Sequence, residues 1–487
     1  MIPLKLADKV FYGSAGMFNG LVGGFVTFFV LIYYSQVLGL SAGLTGTALA
    51  VALVFDAISD PLIGRWSDQT KSKIGRRHPF MYAAIAPVAI LFYYLWNPPA
   101  YVIESNSLFV HLLITIILLR MSATFFDVPS STFVAELTND YEERTSLVNA
   151  RSVIGTITAL TMILFMYGYW LADSPEYPDG ILRADGYKEA SLVGVLIIVV
   201  AMLSTSIGLH KKIPHLPHAP EQNSLSIKQF LIDIRNLLLE PSYSALLFAG
   251  LFGAAALGTS SALQAYLFTF FWELSSDQIT ILFATQIPAT LLAFVMVPLL
   301  TRGREKRNIA VVTYLVSNVF LTLPIFLRLG GWFPENGSDI LLPLLIGFAL
   351  FDMSLYVCGT VIWSSMLADV VELRQVSTGR REEGLLFSLQ TFVGKLTGAV
   401  GTIMAGLVLE YAAFPKQAID SIRVPADALD RFGWAYAPLV LVLYTIAAYA
   451  ISRYKIDRNG HEMRVRELQL ATNTHLETGF KKMENLS

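Results

Sequence analysis

Long apolar runs recur along the whole chain, and they constrain its fold more than any other feature of the sequence. A helix needs roughly 20 apolar residues to cross about 30 Å of hydrocarbon. Twelve segments meet this requirement, so the sequence predicts an all-α membrane protein with 12 transmembrane helices. We place them at approximately residues 9–37, 42–68, 79–97, 108–137, 147–172, 188–210, 242–272, 277–301, 309–328, 339–371, 384–412 and 433–454.

The composition excludes two classes of protein. Residues of the set AVILMFWYC make up 54% of the chain and charged residues only 15%, against about 25% charged in an average soluble protein. An ordinary water-soluble enzyme is therefore excluded. The 35 Lys and Arg residues against 37 Asp and Glu give a net charge of −2, so no basic excess indicates nucleic acid as a partner.

Basic residues fall in alternate connections between the apolar segments, and this pattern predicts the orientation in the membrane. By the positive-inside rule, loops rich in Lys and Arg stay in the cytoplasm. We therefore expect both termini on the cytoplasmic side of the plasma (inner) membrane. The basic residues of these loops are Lys71, Lys73, Arg76, Arg77, Lys211, Lys212, Lys228, Arg235, Arg302, Arg304, Lys306 and Arg307.

A hydrophilic interval divides the chain into two sets of six apolar segments. The predicted organisation is an N-terminal six-helix bundle (1–210), a cytoplasmic linker (211–241), a C-terminal six-helix bundle (242–456) and a cytoplasmic tail (457–487). The basic loop GRWSDQTKSKIGRRHP has a weaker counterpart, TRGREKRN, at the same place in the second half. Two related six-helix halves are the plan of a carrier that works by alternating access.

Two acids lie deep in the second segment, where a carboxylate is costly unless it faces a cavity or a partner. The i, i+4 spacing of Asp56 and Asp60 places both side chains on one helical face. Two like charges so close repel each other unless a cation lies between them. The pair therefore predicts a site for Na⁺ or a proton. For Asp60 alone, a link to the basic loop is the alternative.

Opposite charges occur deep within segments of the two halves. Asp127 lies far from either end of the fourth segment, close to Pro129, which weakens local helix hydrogen bonding and can free a carbonyl group. Lys395 in the eleventh segment predicts an ion pair that forms and breaks as the halves move, with a purely structural ion pair as the alternative. Asn19 and Arg151 are expected to join the same solute cavity, unless Arg151 extends to the cytoplasmic surface.

The tenth segment carries a stripe of polar and aromatic side chains. Asp352, Tyr356, Thr360 and Trp363 recur at helical spacing, so they share one face. An acid, a phenol, a hydroxyl and an indole on one face predict hydrogen bonding and ring stacking with a polar solute. A polar seam between two packed helices is the alternative.

The basic loop after the second segment also predicts a gate. Arg76 or Arg77 is expected to pair with acids on the cytoplasmic side and so to favour the outward-open state. The alternative is that these arginines only set the topology. The other predicted gate residues are Glu136, Asp369, Glu372 and Arg381.

Three stretches of the chain resemble one family. DAISDPLIGRWSDQTKSKIGRRHPF, DVPSSTFVAELTNDYEERTSLVNARS and ADVVELRQVSTGRREEGLLFSLQTFVGK are similar to the glycoside–pentoside–hexuronide:cation symporters, which include the melibiose permeases. Segment order and lengths fit across nearly the whole chain. The resemblance implies the major facilitator fold, with two pseudo-symmetric six-helix bundles.

The resemblance also implies roles for individual residues. The family's site for Na⁺, Li⁺ or H⁺ is matched by Asp56, Asp60 and Thr124, with Ser59 where a melibiose permease has an amide. Its solute-binding charges are matched by Asp127, Arg151 and Lys395. Three positions depart from the melibiose permeases: Gly20 replaces an acid, while Ser131 and Thr360 replace tryptophans. The galactoside site is therefore not preserved.

The sequence as a whole predicts a secondary active transporter, and not an enzyme. We expect Na⁺- or H⁺-coupled symport of a sugar, glycoside or uronate, with no cofactor other than the coupling cation. A lysolipid-type symporter is the alternative within the family, and a membrane-embedded enzyme is the alternative of another class.

Overall fold

The computed structural model describes residues 5–104, 107–138, 140–215, 227–378, 383–415, 424–457 and 460, and these form helices and turns but no strand. Twelve helices are long and apolar enough to cross a membrane, which confirms the predicted number. These spans 1 to 12 are Leu6–Val37, Ala42–Gln69, His78–Trp96, Leu108–Leu137, Glu142–Trp170, Ala184–Ile213, Pro241–Phe271, Ser276–Thr301, Lys306–Leu329, Leu341–Val376, Leu389–Tyr411 and Ala426–Ser452. A further helix, Ile227–Leu238, lies between spans 6 and 7.

Spans 1 and 7 end in the same unusual turn, which supports the predicted relation between the two halves. In each span two successive carbonyl groups accept hydrogen bonds from N–H groups five and six residues further on, as in one turn of π-helix. A residue with positive φ follows, Gly39 at 83° and Glu273 at 49°. The next helix is then capped by Ser41 or Ser275. The backbone thus repeats at matching positions of the two halves.

The basic loops gather at one end of the helix bundle. A Cβ atom on Gly75, in the loop between spans 2 and 3, would lie 3.1 Å from the side chain of Ile213 at the end of span 6. Lys212 forms a 2.9 Å ion pair with Asp8 near the start of span 1. We name this end, which carries these three segments, the basic end. The opposite end, where spans 1, 5, 7 and 11 finish, is the far end.

Small residues bring the two halves into close contact near the far end. A Cβ atom on Gly46 of span 2 would lie 2.6 Å from the carbonyl oxygen of Thr402 in span 11. One on Gly406 would lie 2.8 Å from the carbonyl oxygen of Ala42. Only glycine permits backbones to approach this closely. The contact also aligns spans 2 and 11, which carry the ionisable residues of the candidate site.

Polar contacts also join the halves at the far end. The backbone N–H and the Oγ of Ser276, at the start of span 8, each donate to the Asp173 carboxylate at 2.8 Å. The Nε2 of Gln36 donates to the Pro415 carbonyl oxygen at 3.1 Å. The contacts that join the halves among the described residues include these and an ion pair midway along spans 2 and 11. The far end is therefore the closed end in this conformation.

We expect Asp173→Ala to open the far end, because the carboxylate is a charged cap on a helix of the other half. Loss of these hydrogen bonds should raise the fraction of molecules that are open at the far end by about tenfold. Electron paramagnetic resonance distances between spin labels at the exposed Tyr101 and Trp332 measure this population. Asp185→Asn, which removes an exposed acid that pairs with Lys188 of the same helix, is the control. An unchanged distance distribution in Asp173→Ala would contradict the assignment.

Candidate functional site

The two acids of span 2 converge on one hydroxyl group. The Oγ1 of Thr124 in span 4 lies 3.0 Å from Asp56 Oδ1 and 3.1 Å from Asp60 Oδ1, so its single hydrogen serves one carboxylate at a time. Ser59 Oγ lies 3.4 Å from the same Thr124 oxygen. The structure therefore brings together all four residues of the predicted cation site. Carboxylate and hydroxyl oxygens are the ligands that hard monovalent and divalent cations prefer, so the residues fit the predicted use.

Lys395 of span 11 reaches this cluster from the other half. Its Nζ lies 2.9 Å from Asp56 Oδ2 and also contacts Asp60 Oδ2. The ammonium group thus bridges both carboxylates, in the position where the sequence requires a cation. Lys395 thus forms an ion pair between the halves, but with the span 2 acids and not with Asp127 of span 4, the opposite charge with which the sequence analysis grouped it.

Arg120 is a member of the cluster that the sequence analysis did not identify. Its Nη1 lies 3.9 Å from Asp56 Oδ2, one helical turn before Thr124. The sequence does indicate such a role, because Arg120 is a basic residue in the middle of an apolar span. With Arg120 and Lys395, the two carboxylates have two basic partners, and the cluster is formally neutral.

A second charged cluster lies one turn further along span 4, toward the basic end. Arg151 Nη2 donates to Asp127 Oδ1 at 2.5 Å, and Asn19 Nδ2 donates to the same oxygen at 2.8 Å. The Arg151 side chain is only 10% exposed, whereas that of Asp127 is 40% exposed. Arg151 therefore points at the acid and not at the surface.

Close packing of spans 1 and 5 leaves no room for a side chain at position 20. A Cβ atom there would lie 2.0 Å from the carbonyl oxygen of Gly155. One turn earlier, a Cβ atom on Gly16 would lie 2.0 Å from the carbonyl oxygen of Arg151. An acid at position 20 does not fit between these backbones. The same packing holds Arg151 beside Asn19.

One cavity reaches the cation cluster through Arg120 and Lys395, and a second cavity adjoins the first. The larger, the central cavity, has a volume of about 400 Å³ and lies between the halves, with walls from spans 1, 2, 4, 7 and 11 that include Thr27, Arg120, Ser261 and Lys395. The smaller, the C-half cavity, has a volume of about 200 Å³ and includes Asp352, Tyr356, Ser317 and Gln264 in its walls. Leu257 and Ser261 belong to both walls. The cluster around Asp127 lies outside the walls of these two cavities.

The polar stripe of span 10 divides into two parts. Asp352 and Tyr356 line the C-half cavity, and Ser317 Oγ donates to Asp352 Oδ1 at 2.6 Å. Thr360 instead donates to the Val357 carbonyl oxygen of its own helix at 2.8 Å. Trp363 packs against an apolar cluster nearer the basic end. The structure therefore does not bring Thr360 and Trp363 to the cavity with the other two.

Arg76, Arg77 and Glu136, three of the predicted gate residues, pair with one another within the N-terminal half. Arg76 Nη2 lies 2.7 Å from Glu136, and Arg77, which also contacts Glu136, lies 3.1 Å from Asp68. In the other half Lys306 lies 2.8 Å from Asp369. Burial lowers the pKa of Arg77, although Glu136 and Asp68 oppose the shift. Glu372 lies in span 10, and Arg381 lies outside the described residues.

Comparisons with known proteins agree with this architecture. Residues 11–458 match the family model for MFS/sugar transport proteins. The putative glycoside/cation symporter YagG of Escherichia coli is 25% identical over 94% of this chain and 93% of its own. The isoprimeverose transporter of Lactiplantibacillus pentosus is 23% identical over 94% of this chain and 90% of its own. The crystal structure of the nucleoside transporter NupG has a TM-score of 0.60 at 15% identity, and covers 93% of this chain and 99% of that one.

These matches confirm the predicted fold and the resemblance on which it was based. They also set aside the alternative of a membrane-embedded enzyme, because the matched family and relatives are transporters. The described spans and the family together make the protein an integral membrane protein. The chain belongs to the family of MFS/sugar transport proteins of the major facilitator superfamily.

Proposed function

We propose that the protein couples the downhill movement of Na⁺ or H⁺ to the uptake of a sugar or glycoside by alternating access. Its relatives include a putative glycoside/cation symporter and an isoprimeverose transporter, which supports this class of solute. We place the protein in the plasma (inner) membrane with the basic end in the cytoplasm, because basic loops stay inside. On that orientation, closure of the far end makes this conformation inward-facing.

The contact of Lys395 with Asp56 and Asp60 is the observation that carries the proposal. A cation or proton that neutralises the two carboxylates competes with the lysine ammonium for the same oxygens. Binding therefore weakens an ion pair between the halves and changes the free-energy difference between their two arrangements. Such a link is what coupled transport requires.

Span 4 connects the cation cluster to the proposed solute cluster. Thr124, which bonds the acids, and Asp127, which holds Asn19 and Arg151, are three residues apart on one helix. A shift of this helix on cation binding therefore moves both clusters. By linkage, the solute must tighten cation binding by the same factor.

A thermal-shift screen of the purified protein tests the proposal. Sugars and glycosides should raise the melting temperature, and Na⁺ or a lower pH should enlarge the increase, because a ligand stabilises the state to which it binds. A shift with lysophosphatidylcholine and with none of the sugars would overturn the sugar assignment in favour of a lysolipid. If the solute raises the melting temperature by the same amount with and without the cation, the proposed coupling is wrong.

We expect neutralisation of Arg76 and Arg77 to reduce the outward-open population, because both arginines are proposed to link the halves at the basic end when it closes. Asp369 and Glu372 are the proposed partners from the other half. Distances between spin labels across the basic end should show the outward-open fraction falling about threefold or more. Lys71 and Lys73 belong to the same loop, so their neutralisation is the control for loop charge. Equal distributions in the arginine variant and the wild type would leave these arginines as topology determinants only.

A further inference from the structure

We propose that the C-half cavity binds one ring of an uncharged sugar or glycoside and discriminates against uronates through Asp352. This inference rests on the proposed function and narrows its solute class. The cavity has walls from five spans of the C-terminal half, and Phe28 of span 1 also reaches it. It is therefore open to a solute held between the halves.

The cavity offers many hydrogen-bonding groups, nearly all of them uncharged. Hydroxyl and amide groups bind the hydroxyl groups of a sugar as donors and acceptors. One buried atom in the wall, Asn318 Oδ1, has no hydrogen-bond partner among the described residues. Buried polar atoms without partners are costly, and a bound hydroxyl group satisfies them. The uncharged polar residues of the wall are Ser260, Ser261, Gln264, Gln286, Ser317 and Asn318.

Asp352 is the charged residue of this wall, and it retains capacity to accept hydrogen bonds. Ser317 bonds one of its oxygens, and within the described part of the chain no other hydrogen bond reaches the carboxylate. A carboxylate accepts about four hydrogen bonds, so sugar hydroxyl groups can donate to the remaining positions. Asp352 thus supplies the strong acceptor that Gly20 does not provide.

No Lys, Arg or His lies in the described wall of the C-half cavity, and the nearby bases are already paired. Lys395 and Arg120 face Asp56 and Asp60 in the neighbouring cavity, and Arg151 faces Asp127. The carboxylate of a uronate would therefore meet Asp352 without a basic partner. Two carboxyl groups that share a cavity of low dielectric constant cannot both ionise without strong repulsion, so a uronate binds here only if one of the two takes up a proton, and the cavity favours an uncharged ring.

Aromatic side chains complete the wall. The rings of Tyr314, Tyr356, Tyr436 and Tyr444 line the C-half cavity and give flat apolar surfaces for the C–H face of a sugar. They supply, in the C-terminal half, the stacking surfaces that Ser131 does not offer in span 4. Because Ser261 belongs to both cavities, a glycoside of two rings can extend from one into the other.

Matched pairs of ligands test the inference. Methyl glucoside and methyl galactoside differ from their uronic acids only in a CH₂OH group against a carboxylate. Calorimetry on the purified protein should show the best neutral member binding about tenfold or more tighter than its uronate. Asp352→Asn should weaken binding of the neutral ligand about tenfold and bring the ratio of the two dissociation constants, uronate to neutral glycoside, close to one. Asp352→Glu should preserve the preference, which separates loss of charge from misfolding.

The control is Asp427→Asn, which removes an acid whose side chain is 71% exposed and should leave both affinities unchanged. A wild-type protein that binds the uronate as tightly as the neutral sugar overturns the inference but supports sugar transport. An unchanged ratio in Asp352→Asn assigns Asp352 to helix packing and also overturns it. Binding of lysophosphatidylcholine with no binding in either sugar series overturns the proposed function itself.

Discussion

Asp56→Asn should abolish uphill accumulation of solute while the protein still folds and inserts into the membrane. The substitution removes one of the two carboxylates that contact Lys395, and the amide can neither ionise nor hold a cation by charge. A buried ion pair broken on one side costs about 3–5 kcal/mol, so cation affinity should fall about 100-fold or more. Asp60→Asn should have the same effect, because both acids share one ammonium group.

Uptake into proteoliposomes with an imposed Na⁺ or proton gradient measures the loss. Accumulation of solute against its own concentration gradient should disappear, while movement of solute down that gradient should persist. Asp427→Asn is the matched control, since it makes the same change on an exposed surface. Full uphill accumulation by Asp56→Asn would remove the acid pair from the coupling mechanism.

The double variant Asp56→Asn/Lys395→Met separates coupling from stability. In Asp56→Asn the cluster keeps two bases against one acid, and removal of Lys395 restores the balance of one base, Arg120, and one acid, Asp60. If Lys395 only stabilised the fold, the double variant would restore the activity of a destabilised single variant. Under the proposed mechanism it restores melting temperature but not uphill accumulation.

The sequence was sufficient to predict the spans and the acid pair, because both depend on local physics. A run of apolar residues has one stable environment, and the i, i+4 spacing of Asp56 and Asp60 fixes their relative direction on any helix. The partner of the pair was not fixed by spacing. Lys395 is remote in sequence, and the packing of span 11 on span 2, closest at the glycine contact, places it there.

Features that depend on helix ends and on the packing between halves were not predictable from the sequence. Asp173 lies in a polar connection, and its contact with Ser276 requires that two halves meet at the far end. The helical spacing correctly grouped Asp352 with Tyr356, but it also included Trp363. The face of span 10 that carries these residues extends beyond the cavity, so Trp363, nearer the basic end, packs against apolar neighbours instead.

The second large effect concerns the cluster on span 4. Asp127→Asn should reduce solute affinity about 100-fold or more and leave cation affinity nearly unchanged. A substitution of a cation ligand would instead reduce the cation affinity. The acid is bonded by Asn19 and Arg151, and its 40% exposed side chain is accessible to solute. Removal of its charge leaves the buried Arg151 without its ionic partner.

Arg151→Lys gives the conservative counterpart. Lysine retains the positive charge, but it lacks the planar group that bonds the carboxylate and a solute at the same time. Solute affinity should therefore fall about tenfold, less than in Asp127→Asn.

Calorimetric titration of both variants with the best solute, and separately with Na⁺, distinguishes a solute ligand from a structural ion pair. A structural pair would lower the melting temperature and weaken both ligands together. A solute ligand weakens one affinity while the other survives, because Thr124 and the span 2 acids remain in place. Equal losses for solute and Na⁺ in Asp127→Asn would therefore assign Asp127 to the fold and not to solute binding.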